Sequence, residues 1–312
     1  MILSVSRRTD VPNYYSDWFY KRVEEGYVCV RNPMNAHQIS RIEISPEVVD
    51  CIVFWTKNPE PMMARLDELR MYSYYFQFTL TGYGKDVEPG LPDKPEHLIS
   101  VFQELAGRIG KERVIWRYDP ILLNNRYTAG YHRKAFAAIA GKLKGYTEKV
   151  IISYVDFYAK TKRSMEELHA VSYGQPEMLE LSKDLASIAH ENGLLIESCA
   201  ESADLSSAGV SHGSCIDRHL IERLLGCRIE GGKDKNQREE CGCFESMEVG
   251  TYNTCLNGCR YCYANYSQNK VRENWKRYDV NSPILCGSVG VEDIITERKV
   301  KSLKVGQMSM FE

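Results

Sequence analysis

Six short runs of branched and aromatic apolar residues, each followed by a stretch with helical spacing, most constrain what this chain can fold into. The runs are Ile2–Ser6, Cys51–Thr56, Tyr75–Thr81, Arg113–Tyr118, Val150–Val155 and Leu194–Cys199. Most are almost continuously apolar, the pattern of parallel strands covered on both faces. The helical stretches are Tyr15–Glu25, Pro61–Arg70, His97–Arg108, Tyr131–Leu143, Met178–His190 and Arg218–Leu225. Their apolar residues recur three and four apart, as in Leu181, Leu185 and Ile188. Gly26, Gly110, Gly145, Gly193 and Gly226 stand where C-terminal caps belong. Six strand–helix units in series predict an α/β fold, a parallel barrel or an open wound sheet. No G-x-G-x-x-G follows the first strand, which disfavours a dinucleotide-binding sheet.

Nine of the eleven cysteines lie between Cys199 and Cys286, and three of them read Cys255-Leu-Asn-Gly-Cys259-Arg-Tyr-Cys262. Three thiolates can hold three irons of a 4Fe–4S cluster and leave the fourth iron without a protein ligand. An open metal position is where chemistry happens, whereas closed shells are usually structural. Zinc sites favour C-x2-C pairs and four ligands, so C-x3-C-x2-C fits zinc poorly, though zinc stays an alternative. Disulfides are not expected, because Met-Ile-Leu-Ser-Val-Ser-Arg-Arg lacks the apolar core of a secretory signal and a reducing compartment favours metal use. A cytoplasmic location follows as an expectation.

Polar groups close every strand. The ends read Ser6-Arg7-Arg8-Thr9-Asp10, Thr56-Lys57-Asn58-Pro59, Thr79-Leu80-Thr81, Arg117-Tyr118-Asp119-Pro120, Ser153-Tyr154-Val155-Asp156 and Ser198-Cys199-Ala200-Glu201. In βα barrels the working groups stand at these C-terminal ends. Helix capping accounts for Thr, Ser and Asp there. It does not account for Arg8, Lys57 and Arg117, since cations are unfavourable near helix N-termini. Cys199, Cys215, Cys241 and Cys243 form a second quartet, suited to an auxiliary 4Fe–4S cluster or a tetrahedral zinc. Cys29, Cys51, Cys227 and Cys286 read as inert thiols.

The C-x3-C-x2-C spacing resembles the signature of the radical S-adenosylmethionine (SAM) superfamily. That resemblance implies a free iron that chelates the amino and carboxylate groups of SAM, and one-electron cleavage to a 5′-deoxyadenosyl radical. It also implies a partial (β/α)6 TIM-like barrel, here residues 1–227, with a C-terminal cysteine-rich segment, 228–312, packing over the barrel mouth. The superfamily's cluster loop normally follows the first strand; here it follows all six units. Trp55-Thr56-Lys57-Asn58-Pro59, Glu88-Pro89-Gly90, Arg117-Tyr118-Asp119-Pro120-Ile121 and Gly258-Cys259-Arg260-Tyr261-Cys262-Tyr263 are similar to segments of the spore photoproduct lyase branch. Nearly the full length also resembles an uncharacterised bacterial domain family with a C-terminal, radical-SAM-like cysteine cluster.

Carried over residue by residue, the resemblance implies that Lys57 neutralises the SAM carboxylate, with Thr56 and Asn58 bonding nearby. Thr79, Arg117 and Ser153 would meet its ribose or carboxylate, and Tyr261 would stack near adenine or shield the cluster. Lys57, Arg117, Asp119 and Glu201 are the expected catalytic groups, with Asp156 a further candidate for handling substrate or protons. A reductase, flavodoxin or ferredoxin would supply electrons, and nucleic-acid repair or modification is the leading substrate class. The end, Gln307-Met308-Ser309-Met310-Phe311, resembles a sliding-clamp-binding peptide. The rival reading is a zinc-stabilised nucleic-acid-binding module without catalysis. A net charge of −2 gives the whole molecule no electrostatic preference for nucleic acid, and the basic stretch from Lys270 to Lys304 reads as solvated surface. No run reaches the roughly eighteen apolar residues of a membrane span.

Overall fold

Alternation along the strands decides which side chains reach the strand ends and which pack the helices. The structure is a computed structural model that describes residues 1–305. Its strands are β1 (Ile2–Val5), β2 (Tyr27–Arg31), β3 (Gln38–Glu43), β4 (Cys51–Thr56), β5 (Tyr74–Thr79) and β6 (Val114–Ile121). They continue with β7 (Lys149–Tyr154), β8 (Leu195–Ser198), β9 (Ser211–His212), β10 (Met247–Glu248) and β11 (Ile294–Glu297). Eight of them form one sheet in the order β10-β1-β4-β5-β6-β7-β8-β9. Every neighbouring pair in it is parallel. The fold is therefore mixed α/β around a large parallel sheet, and all six expected strands belong to it.

One face of the sheet carries Leu3, Val5, Ile52, Phe54, Phe76, Phe78 and Trp116, which share a core with Trp18, Phe102, Phe136, Leu181 and Leu185 from the helices. The other face carries Ile2, Cys51, Val53, Tyr75, Ile115 and Ile151, packed against Ile216, Leu220 and Ile221. With a side-chain period of two, this second face runs on into Trp55, then Gln77 and Thr79, then Arg117 and Asp119, then Ser153. Each of these strands is thus apolar where it enters the sheet and polar where it leaves.

Most expected helices form. Asp217 caps Arg218–Leu225 by accepting from the backbone of His219 and Leu220, and Gly226 ends that helix in the left-handed region. Pro61–Arg70 was expected as one helix but breaks into Glu60–Met63 and a 3-10 turn, Leu66–Leu69, because Arg65 leaves the helical region at φ −117°. The third helix starts earlier than expected, as a π turn over Lys94–Leu98 ahead of Ile99–Ile109.

Sequence reasoning missed a second sheet, in the order β11-β3-β2. In β3 the buried residues Ile39 and Ile42 are three apart, so the alternation that marks a strand is absent. Residues beyond 228 are woven into both sheets: β10 pairs with β1, and β11 with β3.

Candidate functional site

The polar strand ends open into a cavity of about 710 Å³. Cys255, Cys259 and Cys262 reach its wall from one loop; the first two are buried and the third half-buried. That loop is tied to the strand ends from several sides. The Asn265 side chain accepts from the Cys255 backbone N–H at 2.8 Å and donates to the Arg8 carbonyl at 2.9 Å. The Asn257 amide donates to Asp10 at 3.0 Å. Asp10 is buried and also accepts from the Thr56 hydroxyl at 2.6 Å and the Lys57 N–H at 2.8 Å. One carboxylate thus joins β1's end, β4's end and the cysteine loop.

Gly90 explains how closely the 84–91 segment approaches this loop. Its N–H donates to the Asn257 carbonyl at 3.0 Å. A β-carbon there would stand 2.7 Å from the carbonyl oxygens of both Leu256 and Asn257, so only glycine fits without movement.

Lys57 is not a free cation. Its ammonium donates to Glu88 at 2.8 Å, and Glu88 also bonds Lys94, the Thr81 hydroxyl at 2.9 Å and the Tyr261 hydroxyl. Burial alone would raise the Glu88 pKa, but Lys57 and then Lys94 more than reverse this and hold it at about 2. For Lys57, burial is outweighed by Glu88 and its pKa is raised; for Lys94, burial wins and its pKa is lowered. Tyr261, between the last two cysteines, is thereby fixed to the site's main carboxylate, with the Lys57 ammonium 5.6 Å from its ring centre.

Further along the wall, the buried Arg117 guanidinium pairs with Asp119, which also accepts from Ser153. Asp119 lies where the β6–β7 register shifts, between Tyr118 and Ile121. Arg117 and Arg7 each lie over the Trp55 ring, at 5.1 and 5.2 Å. Beside them the second cysteine set is gathered. Cys199 and Cys215 sulfurs are 3.0 Å apart, and Cys241 and Cys243 line the same wall. As the side chains stand, no three His, Cys, Asp or Glu among the described residues have metal-binding spacing.

Thr56, Lys57, Thr79, Arg117, Asp119, Ser153, Tyr261 and all seven cysteines of the two sets line the cavity. Asn58 and Glu201 are not among its lining residues. Asn58 is buried, bonded to Asn13 at 3.2 Å and accepting from the Glu60 N–H. Glu201 accepts from the Tyr154 N–H at 2.6 Å; burial, then Asp156 and Asp119, raise its pKa to about 7. Asp10, Arg7, Asn257 and Asn265 were not singled out from sequence. Asp10 and Arg7 carried a signal at the first strand end, whereas the two asparagines carried none. Gln307–Phe311 lie outside the described residues. No helix among the described residues is long and apolar enough to cross a membrane.

The family model described as a domain of unknown function (DUF1848) matches residues 2–264, a span that includes every cysteine of both sets. No curated protein and no solved structure matches the chain.

Proposed function

The chain belongs to this DUF1848 family, and from the cavity we propose that it is a radical SAM enzyme. One observation carries the reading. A loop with three thiols in C-x3-C-x2-C spacing, and no fourth cysteine within it, opens on the same cavity as the polar ends of the parallel strands. The donor set suits a 4Fe–4S cluster with one iron left for a ligand. The cavity falls within the roughly 300–1,000 Å³ of small-molecule sites. Such a cluster, when bound with SAM and reduced, supplies the radical that abstracts hydrogen from a substrate.

The chain's own residues do the rest. Asp10, Asn257 and Asn265 hold the loop over the strand ends, so the three thiols keep their place as ligand enters. Glu88 keeps Lys57 charged beside the loop, and a carboxylate-bearing ligand would share that ammonium with Glu88. Arg117 and Ser153 fix Asp119 in its ionised form beside the cavity. Glu201, whose pKa is raised to about 7, can hold or release a proton at a carboxylate oxygen near neutral pH.

The finer reading rests on the same placement. Most helices on one sheet face, with the short helix Arg218–Leu225 and the strand-end groups on the other, are the basis for reading a partial (β/α)6 barrel with the cluster loop over its mouth. Thr56-Lys57, Glu88, Arg117-Asp119 and Tyr261 come from the four segments that resemble spore photoproduct lyases. Thr56, Lys57, Arg117, Asp119 and Tyr261 line one cavity and Glu88 bonds Lys57 and Tyr261 behind it, which supports that branch, with nucleic acid as the substrate class.

Anaerobic purification tests the proposal. The protein should be brown and yield 5′-deoxyadenosine from SAM and dithionite, and Cys259→Ala should abolish this. Zinc bound at these three cysteines, with no SAM cleavage, would replace the proposal with a zinc-stabilised binding module.

A further inference from the structure

Four cysteines outside the C-x3-C-x2-C loop have no part in the function just proposed. Cys199 follows β8, Cys215 precedes the helix Arg218–Leu225, and Cys241 and Cys243 flank a single glycine. Three separate segments therefore bring four thiols together at the cavity wall. The segment carrying Cys215 is held firmly: its backbone carbonyl accepts from the Tyr75 hydroxyl and the Gln77 amide, each at 2.7 Å. These two side chains lie on the sheet face that ends in Arg117.

The buried guanidinium of Arg117 and the half-buried one of Arg7 face the sulfurs. Arg117 donates to the Cys215 sulfur, and the charge of Arg7 lies beside Cys243. One Arg7 nitrogen, Nη2, is buried and has no hydrogen-bond partner. A buried donor without an acceptor is costly, which points to an anionic group that completes this site. Each guanidinium also meets a carboxylate, Asp119 for Arg117 and Asp234 at 3.8 Å for Arg7. A 2+ core closed by four thiolates carries a net 2− charge, whether the core is one Zn²⁺ or a 4Fe–4S unit.

The sulfur spacing suits a centre whose ligands have drawn together. At 3.0 Å, Cys199 and Cys215 are well beyond a disulfide's length of about 2.05 Å. A tetrahedral ion with bonds of about 2.3 Å spaces its sulfurs about 3.8 Å apart. The pair would part by roughly 0.8 Å to accept a single ion, within reach of side-chain adjustment, whereas a 4Fe–4S core, whose thiolates sit on separate irons, would need a wider separation.

We propose that Cys199, Cys215, Cys241 and Cys243 form a second, closed metal centre, four thiolates around a thiophilic 2+ core, set against Arg7 and Arg117. With no open position, it acts as a brace for the cavity wall if the core is zinc. It also serves as an electron relay if the core is iron–sulfur. The inference stands independently of the radical SAM reading.

The test uses the full chain with Cys255→Ala, Cys259→Ala and Cys262→Ala, purified anaerobically and counted for metal. About one zinc, or about four irons with sulfide, should remain per chain, with Mössbauer spectra separating the two cores. Adding Cys241→Ser should lower metal retention at least tenfold. Four thiols should become reactive only after chelation, a measurement that needs no further substitution. The proposal is overturned if the folded triple variant takes up no stoichiometric metal from Zn²⁺ or from iron and sulfide. A Cys199–Cys215 disulfide in the anaerobic protein would overturn it as well. Failure of the intact protein to cleave SAM would leave this metal count unchanged, so the two readings fail separately.

Discussion

Glu88→Gln keeps the shape of the side chain and removes the carboxylate shared by Lys57 and Lys94. The Glu88 side chain is fully buried, while each lysine side chain is 12% exposed, so water screens these pairs little. Holding the carboxyl at about 2 instead of its ordinary 4.5 corresponds to about 3 kcal/mol, at about 1.36 kcal/mol per pH unit. Breaking a buried pair by deleting one partner costs about 3–5 kcal/mol by an independent route. The amide can still accept from Thr81 or Tyr261, which places the expected loss at the lower value, about 3 kcal/mol at pH 7. Urea unfolding of both proteins at pH 7 measures this directly. The sign of the pH dependence is also fixed. A depressed carboxyl stabilises fully above its ordinary pKa, and that stability is lost as pH falls from 4.5 through about 2. The gap between wild type and variant should therefore close over that window. A difference under about 0.5 kcal/mol at pH 7, or a gap that stays constant in acid, refutes the ion-pair account.

Gly90→Ala should displace the cysteine loop, because the added methyl meets two backbone carbonyls at 2.7 Å; iron retained at Cys255, Cys259 and Cys262 should fall severalfold, measured by metal analysis. Asn265→Ala leaves the buried Cys255 N–H without its acceptor and should cost about 1–3 kcal/mol by urea unfolding. His132 is buried between the Tyr118 hydroxyl and the Leu122 carbonyl, and burial lowers its pKa to about 4 despite that carbonyl. It folds neutral, so stability should decline as pH drops from 6.5 towards 4, by about 3 kcal/mol in total. Proton NMR titration of His132 should find it uncharged at pH 5.5.

The strands were legible because burial on both faces writes an apolar run into each, and Cys51–Thr56 was read to the residue. The cavity groups were legible for the converse reason. Lys57 and Arg117 are charges at positions where capping does not explain them, and both have carboxylate partners. The partners themselves were not legible. Glu88 is 31 residues from Lys57, and Asn257 lies 247 residues from Asp10, distances over which no local pattern operates. β3 escaped because Ile39 and Ile42 do not alternate, and its pairing with β11 joins residues that only tertiary packing brings together.

The wiring of β10 onto β1 has a consequence in time. Ser4 meets Glu248 across 244 residues, so one edge of β1 stays bare during synthesis until residue 248 has emerged. The cysteine loop follows later still, so its thiols are among the last of the cavity's lining groups to be made. Until then Asp10 lacks the amide of Asn257, which donates to it in the finished fold.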